Sequence, residues 1–355
     1  MTPSSQSRYL VAAVETGGTT CVAALAYSNE LGLPFDRLEV PSNSDPRITL
    51  TILRRWLRQK IVNDGVTAVG IASFGPIDPN KKSDTYGFIT STPKPGWKNT
   101  DVLGMLGLIK RAGASNKTDN NSNADLDCAC DGEFDHVPFL FDTDVNAPAF
   151  AEFVHLRNTG VSQISSSAYI TVGTGVGAGL VVNGGTISGL LHPEAGHILV
   201  QRKAGDTYEG CCPFHRCCLE GMVCSRALSE KAGLYITDPT KGIIGAWDQT
   251  LLPQLSDEHP IWDETAFYLA QLCASLILIT SVERIVLGGG IFNRDILYEK
   301  IRGYLKIQLN GYIQHSAVTT DEGLRELVTP SIWGSQAGLV GALFLASEAY
   351  TSKHV

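Results

Sequence analysis

The chain has 355 residues, 43% of them hydrophobic and 18% charged, and a formal net charge of −8 at pH 7. The acidic balance supplies no basic field for nucleic acid or for an anionic membrane surface, so we expect neither as a partner. No apolar run reaches transmembrane length and the first residues lack the pattern of a secretory signal. These features predict a cytoplasmic protein whose cysteines are reduced or bound to metal.

Two short apolar strands are predicted near the N-terminus, at residues 9–14 and 21–27. The turn between them reads Glu15-Thr16-Gly17-Gly18-Thr19-Thr20. Its glycines expose consecutive backbone N–H groups, which can cradle a phosphate without a side-chain charge. Apolar residues at helical spacing then predict a helix over 46–61, and a strand at 66–72 follows.

Residues 111–136 are rich in Asn and Asp and nearly free of large apolar side chains. This composition predicts an exposed insertion. Cys128 and Cys130 lie in it without a further pair of ligand-type residues nearby, so we interpret them as unliganded surface thiols.

A second strand–glycine turn–strand unit occurs in the middle of the chain. Its strands are predicted at 168–172 and 180–182, and the turn begins with Gly173-Thr174-Gly175. The repeat of this unit predicts an internal duplication, with two similar halves facing each other across a cleft.

The C-terminal part alternates helices and strands again. A strongly apolar helix is predicted at 263–279, and a strand at 284–287 ends in Gly288-Gly289-Gly290. Helices are predicted at 293–308 and 336–350. The alternation predicts an α/β fold with mixed sheets.

Two domains are expected at this length. We assign residues 1–145 to an N-terminal α/β domain, onto which the terminal helix at 336–355 packs back. Residues 146–335 form a larger C-terminal α/β domain that contains the cysteine-rich loop 192–221.

That loop predicts a structural zinc site. Three ligand-type side chains follow one another at three-residue intervals, and a histidine upstream can supply a fourth. Zinc in structural sites takes four N or S ligands, and a closed set leaves no position for chemistry. The neighbouring Cys211 and Cys217 leave the register open, and buried reduced thiols are the alternative to a metal. The predicted ligands are His197, Cys212, His215 and Cys218.

Two glutamates lie beside the predicted ligands. Glu194 precedes His197 by three residues, and Glu220 follows Cys218 by two. Carboxylates held in this way accept hydrogen bonds from vicinal sugar hydroxyls. The alternative is a solvated surface glutamate, the commoner fate of this residue type.

The three glycine turns each directly follow an apolar strand, which together favours a nucleotide ligand, although glycine turns end many strands. No Walker motif is present in the chain, so a P-loop NTPase is excluded. The segment GTGVGAG lacks the βαβ context of a dinucleotide-binding motif.

Asp142 and Asp144 follow the strand that ends at residue 141. A carboxylate at a strand end is where the general base for a hydroxyl nucleophile is placed. A helix cap is the alternative for one of the two. We assign the base to Asp144 and a structural role to Asp142.

Together these motifs resemble the ROK family of sugar kinases, in the actin/hexokinase-like superfamily. The family's phosphate motif is matched by Glu15–Thr19, its D-x-N segment by Asp144–Asn146 and its E-x-G-H sugar motif by Glu194–His197. Glu15 in place of Asp, the segment 85–97 (TYGFITSTPKPGW) and the C-x-x-H-x-x-C pattern resemble the fructokinase branch. The fold implied is the duplicated, ribonuclease H-like one, with two domains around a cleft.

The resemblance implies phosphoryl transfer from ATP to the 6-hydroxyl of a hexose, D-fructose first, with Mg²⁺ and a structural Zn²⁺. Asp144 would accept the hydroxyl proton. The phosphates would lie against the first two glycine turns and the adenosine near the third, with Mg²⁺ reached from Glu15 through water. The residues implied to bind the sugar are Gly75, Pro76, Thr143, Glu152, Glu194, His197 and Glu220.

Alternatives within the family are a glucokinase or mannokinase and an N-acylhexosamine kinase, and a more distant one is a non-catalytic sugar sensor. The resemblance implies a homodimer. Only 14 residues precede Glu15, so we expect no N-terminal DNA-binding helix-turn-helix. The chain departs from the family at Thr20, where a Lys is usual.

Overall fold

A computed structural model describes residues 8–111, 131–159 and 163–354. Most of the predicted insertion, including Cys128 and Cys130, lies outside the described residues. None of the helices in the described ranges is long and apolar enough to span a membrane.

Strands and helices alternate along the chain. The strands are β1 (Leu10–Thr16), β2 (Thr20–Tyr27), β3 (Phe35–Pro41), β4 (Ala68–Ser73), β5 (Phe88–Ile89), β6 (Thr100–Asp101), β7 (Phe139–Thr143), β8 (Ser166–Val172), β9 (Val176–Val182), β10 (Gly185–Thr186), β11 (Ile285–Gly288) and β12 (Val328–Pro330). The α-helices are α1 (Pro46–Asn63), α2 (Val102–Met105), α3 (Asn146–Asn158), α4 (Leu219–Val223), α5 (Ser225–Lys231), α6 (Pro260–Thr280), α7 (Ile296–Leu309), α8 (Ser316–Thr319), α9 (Asp321–Leu327) and α10 (Ala337–His354).

The chain divides into two compact units. The first contains the described residues up to Ala151, residues 187–192 and those from Gln336 onward. The second contains the described residues of 152–186 and residues 193–335. The division after Ala151 falls inside α3.

Each unit is built on a five-stranded sheet, and the two sheets have the same topology. In the first unit the order is β3-β2-β1-β4-β7, and in the second it is β10-β9-β8-β11-β12. In each sheet, the first three strands along the chain pair antiparallel with one another. The last two strands pair parallel with their neighbours. The predicted α/β class with mixed sheets and an internal duplication is therefore confirmed.

Both faces of the first sheet are covered by helices. Leu50, Leu53 and Leu57 of α1 are buried against one face. On the other face, α10 packs so closely that a β-carbon on Gly70 of β4 would lie 1.8 Å from the carbonyl oxygen of Ala342. Burial on both faces explains why β1 and β4 are continuously apolar instead of alternating.

Side-chain caps mark the start of α1 at its predicted first residue and of α6 three residues before its predicted start. Asp45 caps α1 by accepting from the Arg47 N–H, with Pro46 at the first position. The imidazole of His259 caps α6 in the same way, and Ser281 ends α6 in the left-handed conformation.

Candidate active site

Two carboxylates meet at one edge of the first unit's sheet. β1, β4 and β7 are parallel neighbours, and the register sets Glu15 beside Ala72 and Ala72 beside Asp142. The loops that follow adjacent parallel strands lie at the same edge. Glu15 near the end of β1 and Asp144 directly after β7 therefore lie on the same side of the sheet.

The first glycine turn joins β1 to β2 at this edge. The N–H of Gly17 donates to the carbonyl oxygen of Thr20 at 3.1 Å. A β-carbon on Gly17 would lie 2.6 Å from that oxygen, whereas Gly18 has open space around its Cα. Because the tight turn requires glycine at position 17, the open backbone that a phosphate could approach begins at Gly18.

The electrostatics of the two carboxylates are coupled. Burial raises the pKa of Asp144 from 3.8 to about 6. Burial, and then the charge of Asp144, raise the pKa of Glu15 from 4.5 to about 7, against a lowering effect of Arg37. In α10, a β-carbon on Gly338 would lie 2.1 Å from Oε1 of Glu15, so this helix forms a wall of the site. At neutral pH the Asp144 carboxylate is ionised and able to accept a proton.

At the junction of β7 and α3, Asp142 and Asp144 have different hydrogen-bond partners. Oδ1 of Asp142 accepts from the Thr143 N–H at 2.7 Å and from Nδ2 of Asn146 at 2.9 Å. The hydroxyl of Thr143 accepts from the Asn146 N–H at 2.9 Å and caps α3. The N–H of Asp144 donates to the carbonyl oxygen of Ser73 at 2.9 Å, which fixes its backbone. Asp142 is thus held within the junction, while the assignment of Thr143 to the sugar stays a prediction.

Gly75 and Pro76, joined by a cis peptide bond, lie on the loop after β4. Nε2 of His192 accepts from the Ile77 N–H at 3.1 Å, and a β-carbon on Gly75 would lie 3.1 Å from the same ring. His192 was not predicted as a functional residue, although it begins the HPEAGH segment. Through its hydrogen bond with Ile77, His192 stabilises the loop that carries Gly75 and Pro76.

The second glycine turn joins β8 to β9 in the second unit. The carbonyl oxygen of Gly173 accepts from the N–H and the hydroxyl of Ser225, at 2.7 and 2.6 Å. Oε2 of Glu220 accepts from the Val176 N–H at 3.0 Å. The turn is therefore anchored by α4 and α5. Ser225 was missed because it belongs to no motif and lies 52 residues from its partner.

The third glycine segment follows β11. A β-carbon on Gly288 would lie 2.4 Å from the Tyr169 hydroxyl, and Gly289 has a φ of +89°. Gly290 has open space and lines a cavity of about 770 Å³. The first two glycines are thus required by packing against β8, and only the third faces a ligand-sized space.

Several separate segments of the second unit, between residues 173 and 295, line that cavity. It is large enough for a nucleoside. The Arg294 guanidinium packs over the Trp262 ring at 4.3 Å and donates to the carbonyl oxygen of Pro253 at 3.2 Å. The 3-10 helix at 249–254, which supplies part of the lining, was not predicted from the sequence. Other lining residues are Gly173, Thr174, Ser225, Gln249 and Asn293.

The structure brings together the four side chains predicted as metal ligands. Their ligand atoms lie within 4.8 Å of one another. Sγ of Cys212 lies 3.8 Å from Nδ1 of both His197 and His215, and Sγ of Cys218 lies 3.6 Å from Nδ1 of His197. A tetrahedral zinc with its usual bond lengths would set S and N ligands about 3.6 Å apart. The residues present therefore fit zinc.

The register of the cluster follows from the turn between the cysteines. Arg216 adopts a left-handed φ of +53°, and its N–H and carbonyl pair with Cys212. Sγ of Cys211 points elsewhere and lies 3.5 Å from Sγ of Cys224. In the described residues, Cys211 and Cys217 are outside the cluster.

The remaining predicted sugar ligands have different surroundings. Glu152 is 2% exposed and accepts from the Ser331 hydroxyl at 2.6 Å and the Ile332 N–H at 3.2 Å. Burial raises its pKa from 4.5 to about 7. Glu194 precedes the 3-10 turn that carries His197, and its carbonyl accepts from the His197 N–H at 3.0 Å. Glu152 is therefore bound inside the second unit, whereas Glu194 lies directly beside the metal cluster in the chain.

Comparison with known proteins identifies the family. The model of the ROK family matches residues 11–124 and 102–349. A Bacillus subtilis protein is 34% identical over 340 residues, 96% of each chain. Fructokinases of Pediococcus pentosaceus and Zymomonas mobilis are 31% and 32% identical, over 96% and 95% of this chain and 98% and 96% of their own. A glucokinase of Halalkalibacterium halodurans is 24% identical over 82% of this chain and 84% of its own.

Solved structures show the same fold. A ROK hexokinase from Thermus thermophilus has a TM-score of 0.66 at 21% identity, covering 97% of this chain and 99% of its own. A ROK glucokinase from Streptomyces griseus, solved with glucose and AMPPNP, has a TM-score of 0.63 at 18% identity, covering 96% and 99%. The fold is thus the actin/hexokinase-like one. The chain belongs to the ROK family, among its sugar kinases.

Proposed function

We propose that this protein transfers the terminal phosphoryl group of ATP to the 6-hydroxyl of a hexose, with D-fructose as the preferred acceptor. The observation that carries the proposal is the pair of coupled carboxylates beside the first glycine turn. Asp144 has a fixed backbone and a pKa raised to about 6, which suits a base that works near neutral pH. Full-length relatives named fructokinase support the choice of sugar.

In this reaction Asp144 accepts the proton of the attacking hydroxyl. Phosphoryl transfer requires mainly positioning and neutralisation of charge. We assign phosphate contacts to the backbone of Gly18 and Thr19 and to the Gly173–Gly175 turn. The cavity beside Gly290 is assigned to the nucleoside. Glu15 would hold the water shell of Mg²⁺, which neutralises phosphate charge when bound.

We also propose a structural zinc ion on His197, Cys212, His215 and Cys218. All four positions of a tetrahedron would be filled, so the metal has no open site for chemistry. Its effect would be to fix the loop that carries Glu194. The second ring nitrogen of His197 then remains for a hydrogen bond to the sugar or to a carboxylate.

A coupled ADP-release assay over fructose, mannose, glucose and N-acetylmannosamine tests the function and its specificity. We expect the highest kcat/KM with fructose, and a single phosphomonoester at C6 in the ³¹P spectrum of the product. A preference for glucose or for N-acetylmannosamine would replace the fructokinase proposal by another sugar kinase of the family. The absence of sugar-dependent ADP release with every hexose would refute the kinase proposal.

A further inference from the structure

Lys94 reaches the first glycine turn from a loop 77 residues away along the chain. Its Nζ donates to the carbonyl oxygens of Gly17 and Gly18, at 3.2 and 2.5 Å. The same ammonium lies 4.9 Å from the ring centroids of Phe74 and Trp97. It is therefore held at the turn by two carbonyls and by the faces of two aromatic rings.

The aromatic support of Lys94 is rigid. Trp97 is fully buried, and its Nε1 donates to the carbonyl oxygen of Asn43 at 2.7 Å. Phe74 packs edge-to-face on Trp97 with ring centroids 5.2 Å apart. A side chain laid over this pair loses little further freedom when a ligand binds, which is the condition for an effective charge in a catalytic site.

Within residues 8–111, 131–159 and 163–354, Lys94 forms no ion pair with a carboxylate. Arg37, whose charge lowers the pKa of Glu15, is paired with Glu39 at 2.6 Å. An ammonium has three N–H donors, and the two carbonyls take two of them. One donor and the whole net charge remain for an anion.

We propose that Lys94 is a further catalytic residue, which binds the phosphoryl group being transferred and neutralises its charge. This rests on the kinase function proposed above. In the step, the sugar O6 forms a bond to the γ-phosphorus and its proton passes to Asp144. The bond from that phosphorus to the bridging oxygen breaks, and ADP leaves with the electron pair. Lys94 stays protonated and makes one hydrogen bond to an oxygen of the transferred group.

This role accounts for the neutral residue at position 20. Thr20 starts β2, and the family resemblance leads one to expect a lysine there. Lys94, from the loop before Trp97, supplies a cation at the same turn. The turn therefore has a cation although residue 20 is neutral.

The test compares Lys94→Met with Lys94→Arg and with the exposed-lysine control Lys98→Met. For Lys94→Met we expect kcat to fall about 10²-fold, as for loss of one preorganised donor to transition-state charge. The fructose Kd without nucleotide should stay within about twofold, since this cation is assigned to phosphate and not to sugar. Lys94→Arg should recover part of the rate, and Lys98→Met should match the wild type.

Two further measurements distinguish a catalytic role of Lys94 from a structural role in which it only holds the glycine turn in place. Loss of a γ-phosphate contact should weaken AMPPNP binding about tenfold while ADP binding is unchanged. The double variant Thr20→Lys/Lys94→Met, which returns a cation to the turn, should regain at least about tenfold in kcat. If Lys94→Met does not fold, the same ratios are measured on Lys94→Gln.

Retention of kcat within about threefold in a folded Lys94→Met or Lys94→Gln protein would overturn the proposal. Equal weakening of ADP binding and AMPPNP binding would overturn it too, because a lysine that only holds the turn in place would affect both nucleotides. If the wild type phosphorylates no hexose, the proposed function fails. If the wild type is active and the Lys94 variants are unimpaired, only the role of Lys94 fails.

Discussion

At the scale of single residues, two aspartates one position apart have different surroundings. Asp142 is engaged by Asn146 and by the backbone of Thr143, whereas burial dominates the pKa of Asp144. The sequence pattern D-x-D leaves both open as base or as cap. The hydrogen bonds at the β7–α3 junction distinguish them.

The pH dependence of the reaction follows from the shifted pKa values. Asp144 has to be ionised to accept a proton, and its pKa is raised from 3.8 to about 6. We therefore expect log kcat/KM for the hexose to be level above about pH 7 and to fall about tenfold per pH unit below about pH 6. Because Glu15 titrates nearby, the apparent pKa belongs to the pair. An acid limb near pH 4, measured under conditions where the protein stays folded, would contradict this environment for Asp144.

At the scale of elements, the sequence predicts the strand–turn–strand repeat well, because each strand is a short buried apolar run. β3 was missed because it is an edge strand with five of its seven residues exposed and one half-exposed, and with polar side chains along it. β10 and β12 were missed because they have two and three residues. Edge strands pair on one side only and need no apolar pattern.

α10 carries no sequence motif, but its contact with Glu15 predicts that a substitution in this helix impairs the site. A methyl group at position 338 would overlap the Glu15 carboxylate, so Gly338→Ala has to displace the carboxylate or the helix. We expect a loss of about 1–3 kcal/mol in unfolding free energy and a lower kcat. The measurements are denaturant unfolding and steady-state kinetics.

The matched control is Gly303→Ala in α7, where an added β-carbon meets nothing within 4 Å. This exposed helical site should gain about 0.5–1 kcal/mol without a change in kcat. Equal behaviour of the two alanine variants would show that α10 does not constrain Glu15.

At the scale of the whole molecule, the same sheet topology is used twice with different additions. The first unit is completed by α10, whose residues Leu339 and Leu343 pack with Val11 and Ala13 of β1. The second unit carries the His/Cys cluster on the loop between β10 and α4. The duplication and the predicted ligands could be read from local patterns. The cation at the first turn and the serine at the second could not, because each contact joins residues more than 50 positions apart.

Metal content tests the proposed zinc site. The wild type should contain about one zinc per chain, and Cys218→Ser should lose it, because a three-ligand set binds far more weakly. Its melting temperature should fall with the metal, and fructose affinity should weaken as the loop loses its brace. Cys217→Ser, one position away and outside the cluster, should keep zinc and stability. Zinc-free wild-type protein, purified without chelators, would refute the site.

The most direct test of the proposed reaction is the turnover of Asp144→Asn, measured as hexose 6-phosphate formed with saturating MgATP, beside calorimetry of fructose binding. The substitution keeps the volume of the side chain and removes its ability to take a proton. We predict a kcat lower by about 10²–10⁴-fold and a fructose Kd within about twofold of the wild type. Asp142→Asn, which retains Oδ1 as an acceptor, serves as the control. Turnover by Asp144→Asn within about tenfold of the wild type would contradict Asp144 as the base.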